Sequence, residues 1–570
     1  MSLGINSEKL NKLLPQIEEI RRRKIVNAET DDTVNYIDSS ENLARLSVHN
    51  NHILYGRRGS GKTTLMSAAI KNSSSDFPIV YDLQPIRNMD ADTIIIKLVL
   101  KMLTKIQGLI RDDYLVPAEM IYKSQYKGIK GIYAKITRKR DVAVLDKYQR
   151  LELFYSAVGD FIGILNKIES TPSEVTYKIG TKMATTSSMK QKNEKVVKFQ
   201  SETKLKGEVK ASYELLSTTI NNLTSMAYNS TNTVEQEKND TLQVTVEVED
   251  SKTVTKTALI DNVKEALVTI TNEFFDLTQK HIVLYLDDFY QISLIKQPRI
   301  LQYLHDIYKN SKNNSFCFKV STLPHRLRMN NEGESNFSHK DDYSPINLDN
   351  DLSEIDRQKK HLLRIVCSID PSLELSLRDI ESLFSSEDAL NYSLVATGGI
   401  PRDFLIMFGQ LVKATREDQR DSIGKEHIYS VVRELRADKD NNNETDSDLT
   451  DEELRAALNK IEKEIIGQLN TNVILYPTVL AKQDERLLNN LVNLRYLHVI
   501  KESTSSEKRK KEEFVAYLVD MSFYVTQKQM KRGFVFRQFW AKDSGHRRKQ
   551  LDSAPIWSFS GEHEKLMQKV

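Results

Sequence analysis

The sequence predicts an α/β protein built on a parallel sheet, with a large insertion, a helical segment after the sheet and a separate C-terminal domain. Three observations support this prediction. Short apolar strands alternate with helical apolar spacing over residues 52–326, a glycine-rich loop joins one of these strands to a helix, and a polar run at 438–448 divides off the C-terminal segment. Alternating strands and helices are typical of a parallel, doubly wound sheet.

The composition narrows the class of protein. A chain of 570 residues is too long for one core, and 39% apolar with 28% charged residues is typical of globular domains. The 82 basic and 79 acidic residues give a net charge of +3, so any nucleic-acid signal must be local. Cys317 and Cys367 match no zinc spacing and fit a reducing compartment. With no apolar run of roughly 20 residues and no signal-peptide pattern, we expect a soluble, cytoplasmic protein without a membrane partner.

The strongest chemical signal is HILYGRRGSGKTTLMSAAI (52–70), which has the pattern of a strand, a glycine loop and a helix. The glycines allow the loop to curl so that its backbone N–H groups and the positive end of the helix face a polyphosphate. Lys62 is spaced to reach the outer phosphates and Thr63 to ligate magnesium, which completes a P-loop. The expected nucleotide-binding residues are Gly56, Gly59, Ser60, Gly61, Lys62, Thr63 and Thr64.

The magnesium ion that accompanies a bound nucleotide also needs a carboxylate, supplied by a residue at the end of a neighbouring strand. HIVLYLDDF (281–289) is an apolar strand that ends in two acids. We assign Asp287 to the magnesium shell together with Thr63, and Asp288 to orienting or deprotonating the attacking water. Many ATPases carry glutamate at the second position, and aspartate is shorter by one methylene, so slow hydrolysis is expected.

Further strands and helices complete the sheet. FPIVYDL (77–83) predicts a strand, ADTIIIKLVLKMLTKI has helical spacing, and a helix around 300–308 precedes a strand at 315–326. The polar pair Ser321 and Thr322 would emerge at the carboxyl edge of the sheet, where ligands bind in such folds.

These motifs resemble those of the AAA+ ATPases, and within them the origin-recognition-type initiators and the related STAND signalling ATPases. GRRGSGKT is similar to Walker A, LYLDD to Walker B, the Ser321-Thr322 strand end to sensor 1, and ATGGIPRDFL (396–405) to sensor 2. The resemblance implies ATP and Mg²⁺ as cofactors. It also implies that Thr322 or Ser321 senses the γ-phosphate and that Arg402 reaches it from a helical lid.

The residues around Arg402 are compatible with this role, because Gly398-Gly399 break the chain and Pro401 suits a first helical position. The chain departs from the family in its Asp-Asp ending and in the long segment between Lys62 and Asp287. An arginine finger is not identified. Arg326 and Arg328 are the best positioned, and a surface role is equally open.

The excess length lies in the insertion, 111–258. Its first part, 123–140, interleaves lysines and arginines with tyrosines, which suits either a grip on nucleic acid or a solvated basic face. The second part predicts one amphipathic helix from the spacing of Leu151, Phe154, Val158, Phe161, Leu165 and Ile168. The third part, 173–250, predicts a small sheet or hairpin, and a contact with a partner or with DNA remains open.

The C-terminal segment begins with the capping-box spacing of Thr450 and Glu453. Helices followed by two strands around a charged turn favour a winged-helix-like domain, with Lys508, Arg509, Lys510 and Lys511 at the wing tip as nucleic-acid candidates. Protein docking is the alternative. The expected domains are an N-terminal helical, adenine-side segment (1–50), the ATPase core (51–110 and 259–345), the insertion (111–258), the lid (346–437), a linker (438–450) and the winged-helix-like domain (451–570).

Three functional hypotheses follow. The first is a DNA-associated ATPase that uses ATP as a nucleotide-controlled assembly switch and forms a homo-oligomer. The second is a STAND-like signalling ATPase, with antiphage defence as one setting, that controls a separate effector protein. The third is a nucleotide-dependent scaffold that does not hydrolyse ATP. Loss of duplex binding on replacing 508–511 with alanine favours the first, and phosphate release that disappears with Lys62→Ala excludes the third.

Overall fold

The computed structural model describes residues 3–21, 36–38, 40–126, 142–170, 174–178, 251–331, 337–338, 341–349, 351–441, 449–526, 529–541 and 543–560. The strands are β1 (His52–Tyr55), β2 (Asp76–Asp82), β3 (Glu174–Lys178), β4 (Ser251–Thr255), β5 (His281–Asp287), β6 (Phe316–Thr322), β7 (Ser344–Asn347), β8 (Val473–Pro477), β9 (Leu497–Thr504), β10 (Phe514–Val519), β11 (Val525–Thr526) and β12 (Gln529–Met530).

The α-helices belong to three groups along the chain. In the first half they are α1 (Glu8–Arg21), α2 (Asn42–Leu46), α3 (Lys62–Asn72), α4 (Ala91–Leu109), α5 (Val116–Tyr126), α6 (Val142–Ser170), α7 (Lys256–Thr278) and α8 (Gln297–Asn310). The next group is α9 (Ile355–Ser368), α10 (Leu377–Ser382), α11 (Glu387–Ala396), α12 (Pro401–Glu417) and α13 (Lys425–Asn441). The C-terminal group is α14 (Asp451–Lys460), α15 (Thr478–Gln483), α16 (Glu485–Asn493) and α17 (Ser544–Asp552).

A five-stranded sheet forms the centre of the first half, in the order β2-β5-β6-β1-β7. All four of its strand pairings are parallel, so the predicted parallel α/β sheet is confirmed. Successive residues of β1 point to opposite faces, as Ile53 and Leu54 do by entering different apolar clusters. The sheet is therefore covered on both sides, with α2 and α3 on one face and α4, α6, α7 and α8 on the other.

The helices of the expected insertion are part of this covering layer. α6 buries the apolar stripe that the sequence predicted, from Leu151 to Ile168, in the same cluster as the sheet residues Leu284 and Phe318. A π-helical turn, Ile110–Leu115, continues α4 directly into α5. β3 and β4 then pair as an antiparallel hairpin whose connecting segment, 179–250, lies outside the described residues together with most of the predicted basic part at 127–140.

Helices α9 to α13, the region expected to form the lid, share one apolar cluster with the C-terminal domain. It runs from Leu362 in α9 through Phe408 in α12 to Tyr476 in β8. The ring centroid of Tyr392 in α11 lies 4.9 Å from that of Phe536 and 5.9 Å from that of Trp540, two residues of the C-terminal domain. Helix α1 joins the same cluster. The polar run at 438–448 therefore separates two segments of chain that pack together.

The C-terminal domain begins with a helix, a strand, two helices and two strands, whose strands form the three-stranded antiparallel sheet β8-β10-β9. The short strands β11 and β12 and helix α17 follow. Thr450 and Glu453 form the predicted capping box at the start of α14. A π-helical segment, Ile461–Leu469, extends that helix. Among the helices of the described ranges, none has the length and apolarity that crossing a membrane requires.

Candidate functional site

The loops that follow β1, β5 and β6 meet at one edge of the sheet. Strand β6 lies between the other two and pairs with both. Tyr55, the last residue of β1, is opposite Thr322, the last residue of β6. Because the strands are parallel, their carboxyl ends share this edge, so the glycine loop, the twin acids and the Ser321-Thr322 pair are brought together.

The glycine loop has the backbone that its sequence predicts. Gly59 and Gly61 have φ values of +83° and +95°, a left-handed conformation that glycine adopts without steric cost. Gly61 is the N-cap of α3, and Thr63 and Thr64 lie in the first turn of that helix. The free N–H groups and positive dipole end of α3 therefore face the curl of the loop.

Lys62 is buried, and its ammonium group lies inside the loop. Nζ donates hydrogen bonds to the carbonyl oxygens of Gly56 at 2.5 Å and Arg57 at 3.0 Å. Burial lowers the pKa of Lys62, while nearby carboxylates, Asp349 first among them, oppose that shift. A bound polyphosphate would replace these two carbonyl oxygens with charged partners.

Asp287 connects the loop to the neighbouring strands. Its Oδ2 accepts a hydrogen bond from Thr63 Oγ1 at 2.9 Å, and its Oδ1 accepts from Ser321 Oγ at 2.5 Å. Burial raises the pKa of Asp287, and the neighbouring Asp288 charge adds to the shift, whereas the two hydroxyls and Lys62 oppose it. Thr63 and Asp287, predicted to share a magnesium ion, are thus in direct contact across the sheet edge.

The turn after β5 holds Asp288 in the left-handed region at φ 55°. Its backbone N–H donates to Asp287 Oδ1 at 3.0 Å and to Ser321 Oγ at 2.9 Å, which fixes the turn. Of the two predicted sensor residues, Ser321 contacts the twin acids. Thr322 is buried beside it, and its hydroxyl is near the Leu323 and Arg326 carbonyl oxygens, at 3.4 and 3.3 Å.

Arg402 lies against the glycine loop at the start of α12. Its backbone N–H donates to the Gly59 carbonyl at 3.2 Å. A Cβ added to Gly59 would lie only 2.8 Å from the Arg402 Cβ, so the absent side chain allows this close approach. Burial lowers the pKa of Arg402, the nearby Arg495 lowers it further, and the carboxylates of Asp403 and Asp288 oppose this.

Sequence reasoning did not identify the contact between Arg57 and Asp349. The Arg57 backbone N–H donates to both Asp349 carboxylate oxygens at 2.9–3.0 Å, and its Nε lies 3.3 Å from Oδ1. Arg57 Nη2 also lies 3.4 Å from the Gly398 carbonyl. This buried arginine joins the loop to the end of β7 and to the lid. Its partners are about 300 residues away in the chain, and no local pattern marks them.

The pocket beside the loop contains polar atoms that are not satisfied. Arg57, Ser60, Gln358 and Gly399 are among the residues that line it. Arg57 Nη1, Ser60 Oγ and Gln358 Oε1 are buried and find no hydrogen-bond partner among the described residues. Because unsatisfied buried polar groups are costly, two donors and an acceptor here are suited to a polar ligand.

The predicted basic tip is the loop between β9 and β10. Lys508, Lys510 and Lys511 are exposed, whereas Arg509 is partly buried and pairs with Glu512 at 3.1 Å. Arg328, a candidate arginine finger, has its Nε 3.3 Å from the Asn330 carbonyl.

The described residues contain no group of three or more His, Cys, Asp or Glu side chains that could hold a metal alone. A magnesium ion at Thr63 and Asp287 would therefore also need oxygen ligands from the phosphates or from water. Both side chains supply the hard oxygen atoms that magnesium prefers.

No protein-family model and no curated protein matches the chain. Among solved structures, it is similar to Cdc6p from Pyrobaculum aerophilum, at 11% identity over 87% of this chain and 95% of that one, with a TM-score of 0.29. It is also similar to a Walker-type ATPase of Pyrococcus abyssi, at 10% identity over 88% and 98%, TM-score 0.33. A RuvB structure from Thermotoga maritima shares 14% identity over 45% and 80%, TM-score 0.21. These identities and TM-scores are low, so we base the function on the site geometry.

Proposed function

We propose that the protein binds ATP with magnesium and hydrolyses it slowly, as an ATPase of the AAA+ type. The observation that carries the proposal is the connected set formed by Lys62, Thr63, Asp287 and Ser321. It joins a glycine loop, a helix start and two strand ends through hydrogen bonds of 2.5–3.0 Å. Lys62 and Asp287 are both buried, and a buried ammonium and a buried carboxylate are costly to keep without a ligand that uses them.

Each residue of the set has a role in this proposal. The backbone N–H groups of the loop bind the phosphates, and Lys62 moves its ammonium from two carbonyls to phosphate oxygens. Thr63 and Asp287 hold the magnesium ion, which, when bound, neutralises phosphate charge and orients the terminal phosphate. Asp288 orients the attacking water from a fixed turn, and Arg402 stabilises charge on the terminal phosphate.

The unsatisfied atoms beside the loop support a nucleoside as the rest of the ligand. Arg57 Nη1 and Ser60 Oγ are donors, and Gln358 Oε1 is an acceptor. Such a mixed set can pair with the hydroxyls of a ribose and with the polar edge of a base, so it suits a nucleoside without selecting which base. The choice of ATP rests on the resemblance to the AAA+ motifs.

We further propose that the C-terminal domain is a winged helix that contacts DNA. The helix, strand, two helices and hairpin follow one another in the order expected for this module. Three exposed lysines at the hairpin tip supply cations for a phosphate backbone. Nucleotide-controlled assembly into a homo-oligomer on DNA completes this proposal.

A second candidate function is a signalling switch that controls a separate effector protein. The favouring observation is the single apolar cluster that joins α1, the lid helices and the C-terminal domain. We call the sheet edge where the loops after β1, β5 and β6 meet the nucleotide edge. A core that joins three segments beside it is suited to a closed state that a nucleotide or a trigger opens.

Phosphate release tests the ATPase proposal and its link to DNA. Purified protein is assayed with ATP, Mg²⁺ and a random duplex, with Lys62→Ala as the inactive control. Multiple turnover that depends on Mg²⁺ and Lys62 supports the ATPase, and its stimulation by duplex supports the DNA-linked function. ATP binding without turnover leaves the scaffold hypothesis. An absence of both binding and turnover contradicts the proposal.

A further inference from the structure

The C-terminal domain reaches the nucleotide edge through the turn between α16 and β9. In this turn, Arg495 Nε lies 2.8 Å from Asp403 Oδ2, and the two side chains are only 26% and 13% exposed. Asp403 follows Arg402 in the first turn of α12. The ion pair therefore joins the C-terminal domain to the helix start that touches the glycine loop.

Two further contacts hold the same turn in place. Asn493 Nδ2 contacts the His325 ring, in the segment that follows β6. A Cβ added to Gly398 would overlap the His498 ring, so β9 begins directly against the glycine turn that precedes α12. This region thus contacts both the segment that follows β6 and the glycine turn that leads into α12.

The backbone of the turn holds Arg495 in a conformation that glycine more often adopts. Arg495 closes α16 in the left-handed region, at φ 66°, and the Tyr496 N–H bonds back to the Leu491 carbonyl at 2.9 Å. Glycine is the usual residue at this position of a helix end. A residue with a Cβ costs about 1–2 kcal/mol there, so the ion pair offsets a local strain.

The charges of Arg495 and Asp403 indicate how their ion pair affects the neighbouring Arg402. Asp403 is the carboxylate adjacent to Arg402 in the chain, and a carboxylate is a strong partner for a guanidinium group. If Asp403 were unpaired, it would compete with the terminal phosphate for Arg402. Arg495 forms an ion pair with the Asp403 carboxylate, and the positive charge of Arg495 also favours an anion at this edge.

We propose that Arg495, supplied by the C-terminal domain of the same chain, is a positioning residue of the nucleotide site. It pairs with Asp403 and so leaves Arg402 available to bind the terminal phosphate. This inference rests on the proposed function. It makes recognition of ATP over ADP depend on docking of the C-terminal domain.

The test compares the Kd values of ATP and ADP for wild type, Arg495→Ala and Arg495→Lys by isothermal calorimetry. We expect Arg495→Ala to weaken ATP binding about tenfold and ADP binding less than threefold, so that the ATP-to-ADP preference falls. Arg495→Lys keeps the charge and restores most of the preference. A purely structural role for Arg495 would instead lower both affinities together, along with the Tm.

A rescue variant and a matched control sharpen the test. Asp403→Asn combined with Arg495→Ala removes the competing carboxylate, so the preference for ATP returns. Arg547→Ala breaks another ion pair between the C-terminal domain and the lid, Arg547–Asp356 at 3.0 Å, and leaves the preference unchanged.

The outcomes separate this inference from the proposed function. If wild type binds ATP but Arg495→Ala keeps the full preference, or if the double variant is not rescued, the role of Arg495 is wrong and the ATPase proposal stands. If wild type binds neither nucleotide, both are wrong.

Discussion

The nucleotide edge and the tip of the β9–β10 hairpin both collect charges, but they hold them differently. At the edge, the side chains of Lys62 and Asp287 are buried, and each is held by a hydrogen bond, Lys62 to the Gly56 carbonyl and Asp287 to the Thr63 hydroxyl. At the tip, Lys508, Lys510 and Lys511 are in solvent beside glutamates of the same loop. A buried charge lowers the stability of the fold unless an ion pair, hydrogen bonds or a ligand offset its burial, whereas a solvated charge costs almost nothing. The buried charges at the edge therefore support a binding site by themselves, whereas a role for the tip depends on a measurement of its binding to a partner.

The largest expected effect comes from Lys62→Ala. Loss of a charged hydrogen-bond donor should weaken ATP binding by about 2–3 kcal/mol, or roughly 30–150-fold, and stop hydrolysis. Lys71→Ala is the matched control, since Lys71 is an exposed lysine in the last turn of the same helix. Equal ATP affinities for the two variants, measured by calorimetry, would contradict a contact between Lys62 and the phosphates of ATP.

Asp287→Asn should separate activity from stability. We expect Mg²⁺-dependent hydrolysis to disappear, while the Tm of the nucleotide-free protein rises by about 2–4 °C near pH 7. The reason is that burial and the Asp288 charge raise the pKa of Asp287, so its ionised form destabilises the fold.

The pH dependence follows from the same shift. A raised pKa in the folded state means that wild type gains stability as pH falls through that pKa, until the unfolded carboxyl is also protonated near pH 4. The Tm difference between Asp287→Asn and wild type should therefore shrink between pH 7 and pH 4 in thermal melts. A difference that grows on acidification would contradict a raised pKa.

Gly59→Ala should detach the lid from the loop. Gly59 and Gly61 both have positive φ, but only at Gly59 would a Cβ meet Arg402, since nothing lies within 4 Å of a Cβ at Gly61. Both variants should lose about 1 kcal/mol or more of stability. Only Gly59→Ala should also weaken ATP binding several-fold. Similar affinities for the two would indicate that contact with Arg402 is unimportant.

Lys510→Ala should have the smallest effect. If the tip contacts a phosphate backbone, duplex affinity falls about threefold and the salt dependence, log Kd against log salt, loses about one unit of slope. Lys463→Ala, a change at an exposed lysine on the extension of α14, is the control. An unchanged slope in a titration series would leave the tip as a solvated surface.

The sequence predicted those features whose determinants are local. The glycine loop, the twin acids, the capping box of Thr450 and the buried stripe of α6 each depend on residues within one element, where spacing alone indicates structure. Thr63 and Asp287, which were predicted to share one site, lie in contact because parallel strands end at one edge.

Features that depend on distant residues were not predicted. The Arg57–Asp349 and Arg495–Asp403 contacts join segments without a shared motif. Which of Ser321 and Thr322 contacts Asp287 depends on the direction of each side chain along β6. The polar run at 438–448 indicated a boundary, but composition cannot reveal that the segments on its two sides pack together. The helices of the expected insertion likewise join the core through faces that only the fold brings together.

Strand β9 links the two regions compared above. It begins at Leu497, with His498 against the Gly398 turn, and ends at Thr504, just before the basic loop. Its eight residues extend about 26 Å. A strand of this length acts as a lever arm, so a tilt of about 10° at the lid would displace the far end by about 4–5 Å. In the proposed function, one strand thus connects the nucleotide site to the DNA-contacting loop, so a tilt of that strand at one end moves the other end by several ångströms.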